Sequence, residues 1–297
     1  MQFDPMAPMA LLPQAATELV VGVMTRLKQA SLMDRDNEPK PYCLTEDMAQ
    51  AQVGSSESAA VVAVVPVYGV LAPGRWGNTD LDSFPRLIKS LASNPKIHTI
   101  VLDIRSPGGT VMGTPEAADA IRSVRDAGVT RIVSVANGMM ASAATWIGTA
   151  AEKVYVTPSG EVGSIGVISM YADWSKAYED FGVKIDVMRT PDKKARFSGV
   201  EPLTEEMRNL VMQRIGESYD QFRAAMGKNR GIRVDQVEKK FGGGEMLSAQ
   251  EALDAGLVDG IATLDEVLIK MVKGTKRTAP SSTRAQLRKI ELESVEG

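Results

Sequence analysis

Val135-Ala-Asn-Gly-Met-Met-Ala-Ser-Ala-Ala-Thr-Trp146 is the stretch on which the fold turns. A β-branched run stops at Gly138, and an Ala-rich helical segment begins with Ser142 near its start. A strand that gives way directly to a helix is half of a βαβ unit. A serine at that junction is held on a rigid scaffold, close to the unpaired N–H groups and the positive end of the helix dipole. Such a place suits a developing oxyanion. It also suits an ordinary helix N-cap, so the remaining residues have to supply a base and an oxyanion hole before Ser142 reads as a nucleophile.

Moving outward, the same alternation repeats. Val61 to Leu71 is a continuous apolar run closed by Pro73-Gly74, the pattern of a strand buried on both faces. The periodicity then predicts a helix over 80–93, a strand over 97–104, a helix over 114–127, a strand over 131–136, the Ser142 helix over 140–151 and a strand over 153–157. This is an α/β chain of repeated βαβ units with a mainly parallel sheet and right-handed crossovers. Strands near 165–171 and 184–189 follow, separated by the helical Ser175 to Phe181. Beyond them the pattern is mostly helical: 204–229, opened by a loose capping box at Thr204-Glu-Glu-Met207, then 233–241 and 248–255. The last of these is capped at Ser248, ended by Gly256 and followed by a strand. Gly242-Gly-Gly244 lacks the following Lys-Ser/Thr of a phosphate loop and reads as a turn.

The expected domain layout is an N-terminal appendage over 1–57, a catalytic domain over 58–273 and a polar flexible tail over 274–297. The appendage carries an amphipathic segment at 15–33, a polar run to Pro41 and a small-residue linker, Gly54-Ser-Ser-Glu-Ser58. Glu18, Arg26 and Lys28 interrupt the apolar residues of 15–33, which makes a membrane span or a signal peptide a poor reading. With 44% hydrophobic and 24% charged residues, the composition is that of a soluble globular protein. A net charge of −3 gives no reason to expect nucleic acid as a partner. The single cysteine, Cys43, and single histidine, His98, leave no cluster for zinc and no intramolecular disulfide. Nothing in the pattern calls for a metal or a cofactor.

Catalysis by a Ser-His pair would have to use His98, which sits at the start of the apolar run to Leu102 and reads as a strand-edge residue. A Ser-Lys dyad is the alternative, with a lysine kept neutral by removal from water. Lys193 and Lys194, in the loop Arg189-Thr-Pro-Asp-Lys-Lys-Ala-Arg-Phe197, are candidates, and sequence alone does not choose between them or exclude two solvated lysines. Asp103-Ile-Arg-Ser-Pro-Gly-Gly-Thr110 closes a strand at the edge where parallel α/β sheets bind ligands. Its glycines allow close backbone approach to an oxyanion, and equally a simple Pro-Gly turn. Ser164, in Gly163-Ser-Ile-Gly166, is placed either to orient a lysine amine or to make a turn.

Three ordered motifs, Asp103 to Val111, Ala136 to Ala144 and Gly163-Ser-Ile-Gly-Val167, resemble the signal peptide peptidase A family of Ser/Lys proteases, and most closely its bacteriophage capsid-assembly (prohead) branch. The resemblance covers about residues 60–270. It implies a crotonase/Clp-protease-like fold, Ser142 as nucleophile, Gly109 as the oxyanion-hole glycine with Gly108 beside it, and Ser164 as the serine that orients the base. Counting back from Leu203-Thr204 places the base on Lys194, with Lys193 as fallback. Two departures stand out: Ala143 and Ala144 follow the serine where the family often has glycines, and Pro191-Asp192 lies in the lysine loop where small residues are common. The resemblance further implies protein substrates such as scaffold, capsid or portal proteins, self-processing, a ring-like homo-oligomer, and a soluble location in the procapsid within the host cytoplasm. The rival expectations are an acyl-CoA-handling crotonase-like enzyme, a soluble bacterial signal-peptide-peptidase-like protease and a non-catalytic assembly protein.

Overall fold

The structure is a computed structural model that describes residues 40–44, 61–74 and 77–273. The amphipathic segment 15–33, the linker 54–58 and the tail 274–297 lie outside the described residues. By compactness the described residues divide into two units, Val167–Asp220 and the remainder.

The larger unit carries the sheet. Its elements are β1 (Tyr42–Leu44), β2 (Val61–Ala72), β3 (Thr79–Asp80), α1 (Phe84–Ser93), β4 (Ile97–Gly109), α2 (Thr114–Ala127), β5 (Arg131–Ala141), α3 (Ala143–Gly148), β6 (Lys153–Val156) and β7 (Glu161–Gly163). Among the described residues these strands and two later ones, β8 (Met246–Ser248) and β9 (Gly260–Ile261), form one nine-stranded sheet with the central order β1-β2-β4-β5-β6-β9. From β2 to β9 the neighbours are parallel, and β1 is an antiparallel edge. The apolar runs of β2, β4 and β5 follow from burial on both faces. On one face Val62, Val64, Val101, Val133 and Val135 pack with Val267, Leu268, Met271 and Val272 of the C-terminal helix α8, whose element spans Leu264–Lys273 in the chain. On the other, Ile100, Leu102, Ile104 and Ile132 are fully buried beneath α1, α2 and α3. Burying each such side chain stabilises the fold by about 1.5–3 kcal/mol.

Several boundaries follow from local chemistry. Helix α2 begins with a proline in its first turn and ends where Gly128 adopts φ 66° and donates to Arg125 O, so 114–127 is found as expected. Ser248 and Glu251 form a reciprocal capping box at the start of α7 (Ala249–Asp254). The long α5 (Glu205–Arg230) starts where Met207 N–H donates to Thr204 Oγ1 at 3.3 Å. Helix α6 (Val234–Lys240) precedes the Gly242–Gly244 turn, which is a single 3-10 turn with all three glycines at positive φ.

Other boundaries moved. β4 runs on through Pro107 to Gly109 because β2 continues beside it and pairs Leu71 with Gly109. β5 runs on to Ala141 because β7 takes over as its partner, which shortens the expected 140–151 helix to α3. The expected 80–93 helix starts at Phe84, since Thr79 and Asp80 pair with Leu71 and Ala72.

The unit Val167–Asp220 holds α4 (Ser175–Asp180) and the first part of α5. The segments near 165–171 and 184–189, expected as strands, enter no ladder among the described residues. Alternating apolar residues fix which way side chains face, but a strand also requires a partner. Ile168, Met170, Ile185 and Met188 of these segments are exposed. Tyr171 O–H donates to Glu201 O at 2.6 Å and stands edge-on to Phe197. A groove of about 650 Å³ lies within this unit, lined by Val167, Met170, Tyr171, Phe197 and Met212 among others.

Candidate active site

The turn between β5 and α3 is built by a change of partners. β5 pairs with β6 over Val133–Ala136, turns at Gly138 (φ 102°), and pairs with β7 over Met139–Ala141. Gly138 N–H donates to Thr157 Oγ1 at 3.1 Å, which fixes the bend. The next residue after the ladder, Ser142, stands at φ 52°, ψ −121°, and its side chain makes no capping bond to α3. A non-glycine residue in that region costs about 1–3 kcal/mol and persists only where its surroundings over-determine it. Here they do. Ser142 N–H donates to Gly163 O at 2.8 Å, and Thr145 Oγ1 lies 2.7 Å from Met140 O and 2.9 Å from the same Gly163 O.

The Pro107-Gly108-Gly109 segment meets this turn directly. A Cβ added to Gly108, which has φ 102°, would stand 2.7 Å from Ser142 Cβ, 2.9 Å from Ala141 O and 3.2 Å from Ala143 N. Only glycine permits so close an approach. Gly109 lies as closely against the neighbouring strand, since its added Cβ would fall 1.8 Å from Leu71 O. The two glycines differ in what their amides do. Gly108 N–H donates to Ser106 Oγ at 3.1 Å, and Thr110 N–H donates to Leu71 O at 2.8 Å. In a parallel ladder the residue paired with Leu71 is bonded through its two chain neighbours, so Gly109's own N–H points away from β2, to the side on which β5 lies.

The Gly163-Ser164 turn completes the group within this unit. Gly163 has φ 146° with Glu245 O where a Cβ would go, and Ser164 has φ 53° with its N–H donating to Glu245 O at 2.8 Å. Ser142, Gly108 and Gly163-Ser164 are thus brought together, by backbone contacts the motif spacing alone does not reveal. His98 lies near the N-terminal end of β4, the end opposite Gly108.

Lys193 and Lys194 belong to the other unit, on an exposed loop. Lys193 Nζ is 3.3 Å from Glu206, which also accepts from Arg196 at 2.9 Å. The bond from Arg196, then that from Lys193, holds the Glu206 carboxyl below its ordinary range. Lys194 forms no ion pair among the described residues, and its N–H donates to Pro191 O at 2.9 Å.

Three features were not foreseen. Ser106, fully buried, bonds to both Gly69 O and Gly108 N–H. Asp103, 3% exposed, accepts from Tyr68 O–H and, at 2.9 Å, from Asn137 Nδ2, with Arg105 at 3.7 Å. This joins β2, β4 and β5 at one level, and burial followed by the bond to Asp103 pushes the Tyr68 phenol well up. Last, the C-terminal part of α5 grips α3: Phe222 stacks on Trp146 with centroids 4.6 Å apart, and Asn229 Nδ2 donates to Thr149 Oγ1 at 3.1 Å while its Oδ1 accepts from the buried Arg122 at 2.8 Å.

The sequence model of Peptidase family S49 matches residues 125–278, just over half of the chain. The chain belongs to peptidase family S49. It is 27% identical to capsid assembly protease C of Escherichia phage lambda over 263 residues, 81% of this chain and 59% of that protein. It is 26% identical to Protease 4 of Haemophilus influenzae over 262 residues, 85% of this chain and 42% of that one. Head-tail preconnector protein GP5 of Enterobacteria phage P21 is 25% identical over 241 residues, 79% of this chain and 47% of GP5. The matches therefore span between 42% and 59% of the length of these relatives. The S49 match is consistent with the parallel α/β sheet and helical C-terminal part described above. Among the described residues no helix is long and apolar enough to cross a membrane.

Proposed function

We propose that the chain is a serine endopeptidase whose nucleophile is Ser142 and whose general base is Lys194. The observation that carries this is the Ser142 turn: a serine in a costly backbone conformation, without a capping role, anchored by Gly163 O and pressed against the Cα of Gly108. Ser142 Oγ attacks a peptide carbonyl and its proton passes to the Lys194 amine. The oxyanion is held by Gly109 N–H and by Ala143 N–H, a first-turn amide of α3. The Lys194 ammonium then protonates the leaving amine, and water activated by the same lysine hydrolyses the acyl-enzyme. Ser164 orients the lysine amine. Lys193 is the weaker candidate because Glu206 engages its Nζ.

The test is intact mass of wild type and Ser142→Ala after incubation with a fluorophosphonate probe and with peptide substrate. Wild type is expected to gain one adduct at Ser142 and to cleave peptide, and Ser142→Ala to do neither while melting at the same temperature. Cleavage retained by Ser142→Ala would sink the assignment. Lys194→Ala is expected to be inactive and Lys193→Ala active; the reverse result would exchange their roles.

The similarity to two phage head proteins supports a finer reading, in which a ring-like homo-oligomer processes scaffold, capsid or portal proteins, and itself, inside the procapsid in the host cytoplasm. The comparable identity to Protease 4 favours a second reading, a bacterial protease of other substrates. Co-expression with the neighbouring head proteins separates them, since only the first predicts their Ser142-dependent trimming.

A further inference from the structure

We infer that Ser106 is a positioning residue for the oxyanion hole, setting which glycine amide is offered to the substrate; this rests on the serine-peptidase reading above. Ser106 is fully buried in β4, where an apolar residue would serve packing better. Its hydroxyl donates to Gly69 O at 2.7 Å and accepts Gly108 N–H at 3.1 Å. Gly69 (φ 61°) lies where the register between β2 and β4 shifts, so its carbonyl meets a hydroxyl in place of a regular ladder amide. One side chain therefore does two things. It satisfies a carbonyl left over by the irregularity, and it turns the Gly108 amide toward β2.

The consequence falls on the next residue. With Gly108 and Thr110 both committed on the β2 side, Gly109 N–H is aimed the other way. Pro107, between Ser106 and Gly108, has no N–H to compete for the hydroxyl. Without the Ser106 hydroxyl, the Gly108 peptide loses the bond that fixes its plane, and the Gly109 amide, one bond along, loses its direction. The Ser106 hydroxyl bonds to Gly69 O and Gly108 N–H, so its effect passes through those two peptide planes.

The experiment compares wild type, Ser106→Ala and Ser106→Thr, using a fluorogenic peptide that wild type cleaves and a peptide boronate of the same sequence, whose tetrahedral oxygen occupies the oxyanion position. Ser106→Ala is expected to lose about ten- to a hundredfold in kcat, the scale of a small misplacement at a reacting centre. KM should change by less than about twofold, and boronate affinity should fall in proportion to kcat. Ser106→Thr, which keeps the hydroxyl, should restore kcat to within a few-fold of wild type. If Ser106→Ala does not fold, Ser106→Cys, isosteric but a weak hydrogen-bonder, takes its place with the same expectations. A Ser106→Ala enzyme as fast as an active wild type would overturn the inference alone, as would parallel losses in kcat and KM in both variants. A wild type without Ser142-dependent cleavage would overturn the peptidase reading and this inference with it.

Discussion

Replacing Gly108 by alanine combines a backbone penalty with a contact penalty, and Gly138 supplies a matched control. Both glycines stand at φ 102°. An added Cβ at Gly138 meets nothing within 4 Å, whereas at Gly108 it meets Ser142 Cβ at 2.7 Å and Ala141 O at 2.9 Å. Gly138→Ala should therefore cost only the dihedral strain, about 1–3 kcal/mol. Gly108→Ala should cost that plus an overpacking term of about 1–3 kcal/mol, because the atoms in the way are backbone and a Cβ and cannot swing aside. Urea unfolding of both variants gives the difference directly, and in thermal melts each kcal/mol should appear as about 2–4 °C. The overpacked variant should also lose reactivity toward a fluorophosphonate, since the clash is relieved by displacing Ser142. Equal stabilities for the two alanine variants would refute the close approach of Gly108 to the serine turn.

Two further outcomes are expected. Asn229→Ala removes the bonds to Thr149 Oγ1 and to the buried Arg122 and should cost about 2–4 kcal/mol by urea unfolding, with Asn229→Asp recovering only the Arg122 part. Burial alone would raise the Asp259 carboxyl, but bonds from Arg230, Val154 N–H and Lys153 outweigh it and hold the group below its ordinary value of 3.8. A carboxyl depressed in the folded state stabilises above its unfolded pKa and loses that contribution as pH falls through the folded one. Wild type should thus lose more stability on acidification below about pH 4 than Asp259→Asn does. Identical acid limbs in pH-dependent urea titrations would count against the Asp259 cluster.

Helices that carry their own stop and start signals were legible in the chain. α2 is bounded by its first-turn proline and by Gly128, α7 by Ser248 and Glu251. α8 was missed although Thr263 and Glu266 cap it reciprocally and Val267, Leu268, Met271 and Val272 share its buried face. Strand lengths were less legible, because β4 and β5 end where their partners end and not where their own residues change character. The same dependence on a partner explains why the alternating residues near 165–171 and 184–189 misled. At the site, Ser142, Gly108, Gly109 and Ser164 stood out by motif. Ser106 did not, since a serine before Pro-Gly-Gly looks like part of the turn, and only the stagger between β2 and β4 brings Gly69 O to it.

The bend of β5 at Gly138 divides one strand between two sets of partners. Its first half is locked into the central ladder with β4 and β6, while its last three residues pair with β7 and keep a single pairing with β4, Met140 opposite Ser106. Amides before the bend should report the opening of the whole domain in hydrogen exchange, and those after it a smaller, local opening. The serine turn should then open more readily than the centre of the sheet, so substitutions in β7 or in β8, its antiparallel partner from far along the chain, should change exchange at the turn while leaving the protection of the central ladder unchanged.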